Sequence, residues 1–200
     1  MEILYANNNT CVLSVQNRNK ITCNVNSTEY ISQRWDNIAE EWINSFKSES
    51  VFDDDLLVES IEYFWLGSWN LVSAATYTYF TNSNLLEEEI NLSFDFNTSE
   101  EKLNSKITYI YDENEYLEQD LRSDYDDVTE TFIPLIKTIY VNDEFGNRVE
   151  HMLIVIDPEG KETVYLRQLQ TFDTNVELTQ INTGVNIGPE LPNKHIISYT

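Results

Sequence analysis

The feature that most constrains this chain is the alternation of apolar and polar residues in short runs, punctuated by turn-forming residues. Glu89–Phe96 shows it most cleanly: Ile90, Leu92, Phe94 and Phe96 fall on one face, and Glu89, Asn91, Ser93 and Asp95 on the other. A period of two is that of a β-strand with one covered and one wet face. Tyr77-Thr78-Tyr79 and the series Ile107, Tyr109, Tyr111 keep the same period. Glu59–Leu66 and Leu71–Phe80 are aromatic-rich and read as strands on either side of a Gly67-Ser68 turn. Thr131–Val141, Val149–Ile156 and Glu162–Phe172 read as further strands. They are joined by Asp143-Glu144-Phe145-Gly146-Asn147 and Asp157-Pro158-Glu159-Gly160, sequences suited to tight hairpins. Strands joined this way in succession form an antiparallel meander. Near the N-terminus, Ile3–Ala6, Cys11–Val15 and Lys20–Val25 read as short strands. A loop at Gln16-Asn17-Arg18 would set Cys11 opposite Cys23, and the plainer expectation for the pair is two small thiols.

Two segments carry a different spacing. Ile31, Trp35, Ile38, Trp42 and Phe46 recur at intervals of four, three, four and four, the pattern of one helix face. Ser27 or Thr28 would cap that helix, with Glu29 in its first turn where the helix dipole favours an anion. Leu117, Leu121, Tyr125, Val128 and Phe132 also follow helical spacing, but acidic residues surround them, so residues 112–130 are expected to be a weak acidic helix or an ordered loop. The tail 182–200 holds Gly184, Gly188, Pro189 and Pro192 and is expected to be irregular. No Pro/Gly/Ser linker divides the 200 residues, so a single domain over 1–200 is expected. No repeat of solenoid or propeller period is evident. The expected fold class is α+β: a long antiparallel, meander-like sheet, with room to curl, packed against one strongly amphipathic N-terminal helix.

Charge excludes several function classes. Twelve Lys+Arg stand against 35 Asp+Glu, a net charge of −23. Direct binding of nucleic acid or of an anionic membrane surface needs bases this chain lacks. Disorder is not expected, because 41% of residues are hydrophobic and the chain holds 4 Trp, 12 Tyr and 9 Phe. The N-terminus has no basic and apolar signal-peptide pattern, and two cysteines are too few for a disulfide scaffold. A reducing, cytoplasmic location is the expectation that follows. The uncharged stretch 63–86 is long enough to span a bilayer, but its Ser, Thr and Asn content points to strands instead, and to a contact surface should the chain self-associate.

The sequence offers little catalytic chemistry. His151 and His195 have no partner at metal-ligand spacing. No nucleophile elbow, P-loop or dinucleotide fingerprint occurs. Asp53-Asp54-Asp55 and the acids of 112–127 supply oxygens for calcium, but without EF-hand spacing. No cofactor, metal or catalytic residue is therefore expected.

What remains is where the acids sit. Residues 87–130 hold 15 acids against Lys102, Lys106 and Arg122. Folding does not require that density, since like charges repel on compaction. Glu87, Glu88, Glu89, Asp95, Glu100, Glu101, Asp112, Glu113, Glu115, Glu118, Asp120, Asp124, Asp126 and Asp127 are the expected partner-binding residues. Spaced along strands, such carboxylates would imitate a phosphate track and engage a basic, nucleic-acid-handling protein. An anti-defence inhibitor of the anti-CRISPR kind, or an immunity protein against a nuclease toxin, fits that description. The alternative is a small-ligand-binding protein or carboxylate-based enzyme with a pocket in the aromatic-rich sheet.

Overall fold

The computed structural model describes residues 10–13, 17–95, 98, 100–172, 178–185 and 193–198. The architecture is all-β. Fourteen strands follow one another among the described residues: β1 (Thr10–Leu13), β2 (Asn17–Asn24), β3 (Ser27–Asp36), β4 (Glu41–Asp53), β5 (Leu56–Trp65), β6 (Trp69–Tyr79), β7 (Leu86–Phe94), β8 (Glu101–Tyr111), β9 (Leu117–Asp126), β10 (Thr131–Asn142), β11 (Arg148–Ile156), β12 (Glu162–Phe172), β13 (Leu178–Val185) and β14 (Asn193–Ser198). No helix occurs among them, and so none is long and apolar enough to cross a membrane.

The chain forms two compact units. One comprises Met1–Asn84 with Glu89–Asn104, and the other Leu85–Glu88 with Ser105–Thr200. In the first, β1 to β6 pair antiparallel in chain order. In the second, β8 to β14 do the same. The strands β7 and β8 contribute residues to both units.

The expected α+β class is thus corrected. The segment read as an N-terminal helix is the β3–β4 hairpin, in which Trp35 pairs with Trp42 and Ser32 with Phe46. Asp36 starts a turn whose carboxylate accepts the backbone N–H groups of Ile38 and Ala39, at 2.8 and 3.0 Å. Glu40 closes it at φ 53°. Asp and Asn are weak helix formers that favour such local bonds, while Trp, Ile and Phe suit strands. Ile38, a core position on the helical reading, is 97% exposed at the hairpin tip. Residues 112–130 are likewise neither helix nor loop. They contain a tight turn, then β9, then a second Asp-led turn in which Asp126 accepts from Val128 N–H at 2.9 Å and Glu130 lies at φ 53°.

Other expectations also shift. Cys11 pairs with Ile21 in the β1–β2 register, not with Cys23, and Cys23 is a free, half-buried thiol. Asn17 and Arg18 belong to β2 and not to a loop. Ile3–Ala6 lies outside the described residues. Within 182–200, Asn182–Val185 ends β13 and Asn193–Ser198 forms β14, which pair with each other.

Burial is sparse in both units. Among the described residues the buried apolar side chains are Ala74 and Ala75 in the first unit and Ile154 in the second, with Ser105 and Ser123 the buried polar ones. Among the described residues no large side chain is fully enclosed. The sheets are held by their ladders and by half-buried cross-strand pairs.

Candidate functional site

Much of the acidity is turn chemistry. Asp112, Asp143 and Asp157 each begin the same hairpin turn. Each donates its backbone N–H to the carbonyl four residues on and accepts at its own carbonyl from the residue three on. Each Asp Oδ1 also accepts the N–H groups of the residues two and four further on, for Asp143 both at 2.9 Å. The fourth residue must turn left-handed: Gly146 (φ 81°), Gly160 (φ 79°) and, in the turn that lacks glycine, Glu115 (φ 65°). The doublet Asp54-Asp55, considered above for calcium, is a two-residue hairpin turn with both residues at positive φ.

Bonds of this kind hold three turn carboxylates, Asp36, Asp126 and Asp143, below their ordinary range. Backbone N–H groups of Ala39 and Ile38 do so for Asp36, that of Val128 with the Thr129 hydroxyl for Asp126, and the Asn147 side chain, then its backbone, for Asp143. A pKa lower in the folded state than in the unfolded one gives stability that is present above the unfolded value, 3.8, and lost as pH falls through the folded one. Urea midpoints are therefore expected to fall below about pH 3.8. The Asp36→Asn, Asp126→Asn, Asp143→Asn triple variant should show a shallower acid limb, because asparagine keeps the acceptor and removes the titration. An unchanged limb would assign the acid sensitivity to other groups.

The hairpins β8–β9 and β10–β11 turn at the same end of the second unit, and their tips touch. A Cβ built on Gly146 would lie 2.7 Å from Cε1 and Cζ of Tyr116, so the Tyr116 ring covers that glycine. Around this contact Glu113, Glu115, Glu118 and Glu144 are exposed, and Phe145 is 71% exposed. The one base in these tips, Arg148, lies over the Tyr140 ring at 3.9 Å.

The expected partner-binding residues divide accordingly. Glu113 and Glu115 are exposed in one of the touching tips, with Glu118 just beyond it at the start of β9, and Glu144, which sequence reasoning missed, is exposed in the other. Glu87, Glu100, Glu101 and Asp127 are exposed elsewhere. Several others are engaged: Glu88 with Lys106 at 3.3 Å, Asp124 with Arg122 at 3.5 Å, Asp120 with the Tyr140 hydroxyl at 2.6 Å, and Glu89 with the Asn91 amide at 2.9 Å. Asp95, Asp112 and Asp126 accept from their own turns. Eight of the fourteen lie within β7, β8 or β9 and six in the turns beside them.

A polar row crosses the second unit. His151 pairs with Tyr140 on one side and Gln168 on the other. Burial, then the bond to Asp120, push the Tyr140 hydroxyl up to about 12, while burial and then the charge of Arg148 lower His151.

A second feature lies in the first unit; from sequence, Trp65 and Trp69 read as buried strand aromatics in preference to sugar-stacking rings, and their shared face with Trp35 and Trp42 was missed. Trp35 pairs with Trp42, Ile31 with Lys47, Lys47 with Tyr63 and Trp65 with Trp69. Cross-strand partners share a face, as do residues two apart on one strand. All four tryptophans of the chain therefore stand on one face of β3–β6, towards the tips of its two hairpins. The rings of Trp35 and Trp42 are 5.6 Å apart and those of Trp65 and Trp69 5.0 Å, both edge-to-face. Between the pairs, Lys47 Nζ sits 4.0 Å from the Tyr63 ring centroid, 5.7 Å from that of Trp69 and 2.6 Å from Glu49 Oε1. Tyr63 donates to the other Glu49 oxygen at 3.0 Å. The bonds from Lys47 and Tyr63 lower Glu49, and burial followed by that same carboxylate pushes Tyr63 up to about 12. Gln33 Nε2 donates to Asn44 Oδ1 at 2.8 Å on the same face.

No group of three or more potential metal ligands is present among the described residues. A cavity of about 270 Å³ is lined by Thr22, Asn24, Ser27, Glu29, Glu49 and Val51, among others, and by no Tyr or Trp.

No protein-family model matches the sequence, and no curated protein does. Among solved structures the chain is similar to a protein of unknown function from Bacteroides fragilis, 14% identical over 62% of this chain and 91% of that one, with a TM-score of 0.56. It is also similar to a porin-like protein from Bacteroides uniformis, 10% identical over 97% of this chain and 90% of that one, TM-score 0.44. A DUF3836 family protein from Bacteroides vulgatus is 15% identical over 46% of this chain and 91% of that one, TM-score 0.41. The first of these likenesses concerns the fold alone.

Proposed function

We propose that this chain is a non-enzymatic binding protein that engages a basic protein partner through the acidic hairpin tips of its second unit. The observation that carries this reading is the pairing of those tips. Tyr116 over Gly146 brings two hairpin tips into contact, and those tips carry the exposed Glu113, Glu115 and Glu144 and the exposed ring of Phe145. Tips that carry an exposed aromatic side chain and charges of one sign suit a partner of the other sign. The net charge of −23 steers such a partner in and repels nucleic acid itself. Nucleic-acid-handling effectors and nucleases are the basic proteins this description favours, which keeps inhibition or immunity as the role.

The test compares the wild-type chain with the Glu113→Lys, Glu115→Lys, Glu144→Lys variant as immobilised bait in lysate of the source organism. All three positions are exposed, so the circular dichroism spectrum should not change. A basic protein held by the wild type at low salt and released by a salt step should bind the variant tenfold more weakly or worse, since like charges brought together oppose association. Equal retention by both baits would sink the reading.

A further inference from the structure

We propose that the tryptophan-bearing face of β3–β6 is a binding site for a neutral oligosaccharide. The inference stands apart from the acidic tips and rests on a different unit.

Cross-strand indole pairs stabilise hairpins, and one pair per hairpin would serve that end. Here both pairs stand on the same face, and that face is partly open: Trp35 is 46% exposed, while Trp42, Trp65 and Trp69 are half-buried and keep part of each indole in reach of solvent. The pairs lie two strand spacings apart, about 10 Å across the sheet. That spacing suits a chain of linked rings better than a single small molecule. Indole faces carry negative potential, which complements the weakly positive C–H face of a sugar ring.

The polar groups between the rings complete the match. The Gln33–Asn44 bond uses one amide proton and one carbonyl oxygen. It leaves Gln33 Oε1 as an acceptor and Asn44 Nδ2 as a donor, one step in from the Trp35–Trp42 pair. An adjacent acceptor and donor answer two neighbouring hydroxyls. A protein partner would favour a continuous apolar centre with charge kept to the rim, whereas here amide and ionic groups stand among the rings.

Charge selects a neutral ligand. The place a cation would take over Tyr63 and Trp69 is already filled by Lys47, whose ammonium is paired with Glu49. Glu29 and Glu59 continue the same face, so an anion is repelled.

The test is binding of the full chain to an array of neutral glycans, followed by tryptophan-fluorescence titration with the oligosaccharides retained. Oligogalacturonate and trilysine serve as anionic and cationic probes. The expected result is a saturable fluorescence change with a neutral oligosaccharide, with a dissociation constant of roughly 1 mM or tighter. Neither charged probe should produce it. Trp35→Ala should weaken binding about tenfold. Because that change also touches a hairpin, Gln33→Ala with Asn44→Ala provides a second variant that should weaken binding while leaving the circular dichroism of the indole pairs intact. Three outcomes overturn the proposal: no neutral glycan retained, an equal response to trilysine or oligogalacturonate, or a tryptophan signal that follows protein concentration without sugar, which would assign the face to a second copy of the chain.

Discussion

Gly146→Val is expected to lower folding stability by about 3 kcal/mol, made up of two separable parts. The first is backbone strain. At φ 81° a β-branched residue sits in the left-handed region, at a cost of about 1–2 kcal/mol. The second is displacement of the Tyr116 ring, which lies where the new Cβ and its methyls must go, 2.7 Å from the built Cβ position. Moving that half-buried ring into water gives up roughly 1–1.5 kcal/mol of apolar contact. Gly160→Val provides the control. Gly160 has the same backbone conformation at φ 79°, with nothing within 4 Å of a built Cβ, so only the strain part should appear. Urea unfolding of the two variants measures the difference. Equal losses would mean that the Tyr116 contact contributes nothing, and with it would go the argument that the two acidic tips are held together.

Trp69→Ala is expected to cost about 2 kcal/mol. Its ring meets Trp65 edge-to-face at 5.0 Å, a pair worth about 0.5–1.5 kcal/mol beyond its area. Loss of the half-buried indole area supplies the remainder. Trp35→Ala should cost less, about 1 kcal/mol, because 46% of that residue is already in water. Urea midpoints with unchanged slopes would express both values. A loss at Trp35 as large as that at Trp69 would contradict the description of Trp35 as the more open ring.

The strands between residues 56 and 111 and between 131 and 172 were legible because alternation and turn residues agreed there. The two helical readings failed for one arithmetical reason. A spacing of four is even, so Ile31 and Trp35, or Leu117, Leu121 and Tyr125, share a face on a strand as well as on a helix. The spacing of seven between Trp35 and Trp42 fits two helical turns, and it also fits two residues facing each other across a turn. Two signals could have decided it. Asp36-x-x-x-Glu40 and Asp126-x-x-x-Glu130 are the same turn written twice, each with its final Glu at φ 53°. The Asp-led turns at 112, 143 and 157 form a second recurring set.

Of the acidic surface, the excess of charge was visible in composition, but its division was not. Aspartates that start turns are spoken for by backbone N–H groups, and only the approach of Tyr116 to Gly146 shows that the tip bearing Glu144 meets the one bearing Glu113 and Glu115. That all four tryptophans share one face was invisible for a related reason. Which residues share a face across four strands depends on bulges, such as the one between Ser32 and Gln33 in the β3–β4 register, and bulges leave no mark in a single sequence.

The meander has a consequence for how such a chain is made and remade. Each strand pairing joins neighbours in sequence, so no distant segment must be found before a hairpin can close. Pairing can begin at any turn and spread outward, at the speed that local contacts allow. The same locality permits growth. A hairpin gained by duplication extends the ladder without rethreading anything already formed, and the recurring aspartate turns are what such a history would leave behind.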